Sequence, residues 1–371
     1  MTTFVLYQIM KKIIYILPFI LFSQLNAQTR DVEQGRIDFL RNKSTITQPV
    51  PANIQKHFDI ALNEIEKMLN GEKPLSFKRA VFLVENAFYA GELCWEEYSN
   101  EIARIVPILN EMIDSRGFRR HRTAGNWAIF TFMSESIPEN DFRPFQYDFE
   151  NFMSDTDLES LMVSRLLQTR LGNCRALPYL YKILANELGV EAHIAIVPMH
   201  VYVMHRDEQG VWWNLEMTTG SFSRSSFIME TFNVSETAIR SGLFMNPMSH
   251  IQAVAHLIND LLFFYEHKTG RYSDEFVRRA YQIGLKHHPN SPLQIIKLND
   301  LQFQIGKKSR ELGVRSNQEF VQQPEIMELF NAFIATRNFI IEMGYSRMRN
   351  EDYERAINHI REQQMLLRLE K

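Results

Sequence analysis

Apolar residues recur at mixed three- and four-residue steps over residues 54–69, where Ile60, Leu62, Ile65 and Leu69 mark one face and Asn70-Gly71 ends the pattern. That spacing predicts an amphipathic helix. Residues 75–90 and 98–113 continue in the same style, residues 158–171 are amphipathic, and residues 177–188 form a helical pattern closed by Gly189. The period changes at Glu191. Residues 191–197 and 200–205 are short, rich in Val and Ile, and separated by Pro198. Asp207-Glu208-Gln209-Gly210 then signals a hairpin into a third candidate strand over 211–217. From about Met248 onward the pattern is helical again. The chain is therefore expected to be α+β and predominantly α-helical, with a small antiparallel sheet in its middle.

Two helical stretches resemble tetratricopeptide repeats. Tyr281 to Asn290 matches the end of such a unit, with small Gly284 where two helices touch and Pro289-Asn290 closing it. His287 and His288, just before that close, are read as surface residues. Asn350 to Ile357, with Tyr353 and Ala356, matches the turn and second-helix start. Stacked helix pairs need small residues at close contacts and bury each other's apolar faces. An unrelated helical bundle accounts for the same pattern. The expected division is residues 1–27 as a leader, 28–155 as a helical region that either stands as its own domain or belongs to the core, 156–247 as a core, and 248–371 as a tetratricopeptide-like helical domain.

The 371 residues carry 41 Lys+Arg against 44 Asp+Glu, so no basic excess favours a nucleic acid partner. Lys11 and Lys12 precede an apolar run at 13–22 and a small residue, Ala27, before Gln28. This describes a secretory signal cleaved after Ala27. An uncleaved anchor is the alternative, but the run is short of the ~20 residues of a membrane span. Cleavage removes both lysines and takes the formal net charge from -3 to -5. The mature protein is then expected in a periplasm or outside the cell, with no membrane span. The basic segment 114–122 (Arg116, Arg119, Arg120 and Arg122) reads as a solvated loop. No HExxH, CxxC pair, EF-hand loop, GxGxxG or P-loop occurs, so no metal or nucleotide cofactor is expected.

Candidate chemistry lies between Gln168 and Thr219. Gly172-Asn173-Cys174 precedes a helix, and a cysteine there meets unpaired backbone N–H groups and the positive end of the helix dipole, which favour thiolate. Pro178 removes the N–H that would otherwise pair with the Cys174 carbonyl. His200 opens a strand, where a fixed imidazole suits a general base. After the hairpin, Trp212-Trp213-Asn214-Leu215-Glu216 brings either Glu216 or Asn214 beside His200 to fix its tautomer. Cys174 has bland readings too: an unreactive buried thiol, or a disulfide with Cys94.

This order and spacing, over roughly residues 160–220, resemble the transglutaminase-like superfamily of the papain-type fold. The resemblance implies Cys174 as nucleophile, His200 as base and Glu216 as orienting residue, with Gln168 as an oxyanion donor. It departs from the family pattern in having Glu216 for Asp, Arg175 for an aromatic residue after the nucleophile, and Tyr202 for Trp. The implied function is an exported cysteine-dependent amide-bond hydrolase or acyl transferase acting on a peptide or protein. Hydrolysis is favoured over cross-linking, since no feature selects a lysine acceptor. A different class is also open: a catalytically silent module that binds a protein partner through its C-terminal helices.

Overall fold

The computed structural model describes residues 50–154 and 157–369, so the leader read at 1–27 lies outside them. Four helices come first: α1 (Ala52–Leu69), α2 (Phe77–Phe88), α3 (Trp95–Ser115) and α4 (Ala124–Ser134). Strand β1 (Gln146–Tyr147), a 3-10 turn at Leu158–Leu161, α5 (Val163–Thr169) and β2 (Leu171–Gly172) lead into α6 (Ala176–Leu188). Strands β3 (His193–Val197), β4 (His200–Arg206), β5 (Trp212–Glu216) and β6 (Ser221–Ser223) follow. The remaining helices are α7 (Ser225–Thr231), α8 (Glu236–Arg240), α9 (His250–Thr269), α10 (Glu275–His287), α11 (Leu293–Glu311), α12 (Asn317–Val321), α13 (Pro324–Glu342) and α14 (Asn350–Leu369). Strands β3 to β6 form one antiparallel sheet in sequence order, and β1 pairs with β2 in parallel. The fold is α+β and mostly α.

The described chain divides into two compact units, and the larger takes residues 51–302 and 332 onward. Its centre is α6. Every residue from Ala176 to Ala185 is buried, because α2, α3, α4 and α5 surround this helix and β3 and β4 cover another side. A helix enclosed on all sides must be apolar all round or satisfy its polar atoms internally. Lys182, within it, does the latter by donating to the Ala192 carbonyl at 2.6 Å. Helix α9 packs on α1, α2 and α10 in this same unit. The boundary drawn at Met248 thus falls just before a helix whose buried face, with Val254, Leu257, Ile258 and Leu261, finds its partners among the first helices of the chain.

Among the described residues the smaller unit comprises Val50 and residues 303–331. Within it Ser316 caps α12 by accepting the Glu319 N–H at 3.2 Å. Lys308 pairs with Glu325 at 2.7 Å, and Phe320 meets Phe330 edge-on at 5.7 Å.

Several elements differ from the periodic reading. In α1 the core face is Phe58, Ala61, Leu62, Ile65, Met68 and Leu69, while Ile60 is exposed. Residues 158–171 are three short pieces instead of one helix. The α5 helix starts at Val163, where buried Glu85 accepts the N–H groups of Val163 (2.7 Å) and Ser164 (2.9 Å). It stops at Arg170, which is in the left-handed region with φ 62°. Helix α4 has no polar face to give it a period, since Ala124 to Ser134 is apolar nearly throughout. His288 is buried rather than at the surface, its backbone N–H bonded to Gly284 O at 2.8 Å.

Candidate active site

The approach to α6 is fixed from both sides. Backbone bonds from Gln146 to Arg170 O and from Asp148 to Gly172 O, each 2.8 Å, tie β1 to β2. A Cβ on Gly172 would sit 3.0 Å from Leu166 and 3.2 Å from the Ala176 methyl, so the chain passes where a side chain has little room. Asn173 then acts as a cap: its Oδ1 accepts the Arg175 N–H at 2.9 Å, and its Nδ2 donates to Ser154 Oγ at 3.0 Å. Cys174 follows, placed at the positive end of a buried thirteen-residue helix.

His200 starts β4, and Val203 pairs with Leu215 across the sheet. Carried one step on, that register sets Glu216 beside Tyr202 and diagonal to His200, on the same face of the sheet. The longer Glu side chain spans the diagonal: His200 Nε2 donates to Glu216 Oε2 at 2.6 Å. The other carboxylate oxygen accepts the Thr218 N–H (3.0 Å) and hydroxyl (2.6 Å), which holds its orientation. Phe232 lies parallel to the imidazole, 4.8 Å away at 12°. Among the described residues Nδ1 has no nitrogen or oxygen partner, and the Cys174 thiol is close enough to act on the charge of the ring.

All three groups are buried, with Cys174 6%, His200 2% and Glu216 3% exposed. Burial alone would neutralise each of them. Burial pushes the His200 pKa down, but the Glu216 charge and the Cys174 sulfur outweigh it and raise it to about 10. Burial likewise pushes the Cys174 thiol up, and the hydrogen bond and charge of His200, with Tyr353 and Arg175 behind them, bring it below its ordinary value. Glu216 is held below the usual carboxylate range, because the imidazolium and the Thr218 donors overcome its burial. The arrangement moves the row toward its thiolate–imidazolium–carboxylate form. Such a row supplies a nucleophile, a proton donor for a leaving group, and a carboxylate that keeps the ring oriented.

The structure therefore brings Cys174, His200 and Glu216 together. It does not bring Gln168 to them: that side chain is exposed on α5. Asn214, the other candidate for orienting His200, donates instead to Ser223 O and Ser225 Oγ, both at 3.1 Å. Cys94 and Cys174 are separate thiols, the first exposed and the second buried.

Sequence reasoning missed Asn173 as a cap, Thr218, Phe232, and above all Tyr353. The Tyr353 hydroxyl lies 3.5 Å from the Cys174 sulfur. Tyr353, Ala356, Ile357 and Ile360 are buried at helical spacing on α14, a pattern that announces a docking face without saying what it docks on. Phe232 also lines a cleft of about 450 Å³ shared with Asn233, Arg347, Asp352, Arg355 and His359. Among the described residues no group of three or more His, Cys, Asp or Glu is placed to hold a metal ion. Among them, too, no helix is long and apolar enough to cross a membrane. In comparisons with known proteins, no family model matches the chain, and neither a curated protein nor a solved structure gives a significant match.

Proposed function

We propose that the protein is an exported thiol-dependent amide hydrolase or acyl transferase of transglutaminase-like type, acting on a peptide or protein. The observation that carries this reading is the buried row from Cys174 through His200 to Glu216, closed by a 2.6 Å hydrogen bond. The Cys174 thiolate attacks a substrate carbonyl. As the tetrahedral adduct collapses, the C–N bond breaks and the His200 imidazolium gives its proton to the departing amine. A thioester remains on Cys174. Water, deprotonated by the now neutral His200, adds to the thioester, releases the acid and returns the thiol pair to its starting state; an amine in place of water gives transfer.

The test is the pH dependence of Cys174 alkylation, with sites assigned by mass. Accessibility scales the whole profile, whereas activation moves its midpoint. The reading expects a midpoint below about pH 7, against ~8.5 for an ordinary thiol, that returns to the ordinary value in His200→Ala. Cys174→Ala abolishes turnover of amide substrates with the fold intact. A midpoint near the ordinary thiol value, unmoved by His200→Ala, overturns the enzyme. That outcome supports a catalytically silent module binding a protein partner, which the covering of the sulfur by Tyr353 favours.

A further inference from the structure

The thiol row has its chemistry in place, and Tyr353 stands against its sulfur. An acyl group on Cys174 needs space at the sulfur, and the Tyr353 ring and hydroxyl hold that space. Tyr353 is 2% exposed and meets Phe152 at 6.1 Å. The buried hydroxyl of Tyr147, on β1, adds a second phenol to the group and makes no well-formed hydrogen bond of its own. The helix carrying Tyr353 crosses the loop before the site and α7: Arg361 lies over Phe149 at 5.4 Å, and His359 faces Phe227 at 5.7 Å.

The first turns of that helix have few apolar anchors. Its apolar contact over residues 350–362 rests on Tyr353, Ala356, Ile357 and Ile360 alone, and most of the other side chains there are exposed. Asp352 pairs with Arg355 within the helix and with Arg349 in the link just before it. The non-helical link 343–349, with Gly344 at φ 74°, connects it to α13. The cleft of about 450 Å³ runs along its root against residues 230–233, so one flank is incompletely packed. Elements with few buried apolar contacts open locally without global unfolding.

We propose that α14 is an autoinhibitory cover on the thiol site, with Tyr353 as the plug, and that substrate reaches Cys174 only when the first turns of this helix lift. The inference rests on the function proposed above for its purpose, though not for its test. Exposed Cys94 is an internal standard. In the full-length protein, iodoacetamide modifies Cys174 more slowly than Cys94. In Ile357→Asp, which places a charge in the docked face, the Cys174 rate rises about tenfold or more while that of Cys94 stays constant. Tyr353→Ala gives the same direction of change.

Two results overturn the cover. One is a wild-type Cys174 that reacts as fast as Cys94. The other is an unchanged Cys174 rate in Ile357→Asp when the α14 amides of that variant exchange as in a free peptide. Should Ile357→Asp unfold throughout, the wild-type protein decides alone. Slowing of Cys174 alkylation that equals the protection of α14 amides upholds the cover, and slowing that equals the protection of α6 amides overturns it. A raised rate with an ordinary pH midpoint leaves the cover standing and removes the enzyme. An unchanged rate with a lowered midpoint does the reverse.

Discussion

Glu216 differs from an aspartate by one methylene, and the sheet explains why that length works. Its partner is not directly opposite but two residues along β4, and the added reach closes the gap to 2.6 Å. Charge then matters more than shape. Glu216→Gln keeps the length and a hydrogen-bonding oxygen but removes the negative charge that raises the His200 pKa. A less basic imidazole leaves Cys174 without its counter-charge, so the thiol pKa rises. The midpoint of Cys174 alkylation is expected to move up by about one pH unit or more, lowering the rate at pH 6 about tenfold without changing that of Cys94. Asn214→Ala, whose side chain serves the β6 end of the sheet, leaves the midpoint in place.

At the level of elements, the site depends on a carboxylate that sequence alone leaves anonymous. Glu85 reaches from the middle of α2 to cap α5, 78 positions downstream, and α5 feeds β2 and then Cys174. Burial pushes Glu85 up to about 7 even though it accepts backbone donors. Glu85→Ala leaves the Val163 and Ser164 N–H groups buried and unpaired, a cost of about 2–4 kcal/mol, read as a lower urea midpoint with an unchanged slope. The strands and the order Cys174, His200, Glu216 were legible because each sits in a local pattern of turn residues or alternation. The cap from Glu85 and the plug from Tyr353 were not, since both are contacts between segments whose spacing encodes nothing about each other. Tyr353 and Ala356 did register as part of a helix-packing motif. What escaped was the surface that this face covers, because apolar periodicity specifies a face and not its partner.

Across the larger unit, one side chain joins segments far apart in the chain. Glu191 pairs with Arg122 before α4, with Arg206 at the end of β4 (2.7 Å) and with His193 on β3 (3.4 Å). Burial is the largest single influence and raises its pKa, but the hydrogen bonds and charges of Arg206 and Arg122 together outweigh it and hold it at about 2. A depressed carboxylate contributes stability above its unfolded pKa of about 4.5 and loses it as pH falls toward 2. Water around the group screens these pairs, so Glu191→Gln is expected to cost about 1 kcal/mol at pH 7. The difference between variant and wild type should close as the pH of urea titrations is taken down to 2.

The two thiols of this chain live in opposite circumstances, and oxidants distinguish them by that alone. Peroxide attacks the accessible sulfur first, so Cys94, exposed beside Glu96 at the start of α3, is where sulfenic acid or a bridge to a second molecule forms. Cys174, more reactive by its surroundings, is screened by a phenol from the far end of the same chain. A thiol that oxidants could carry past recovery thus keeps its reduced state for as long as Tyr353 stays where it is.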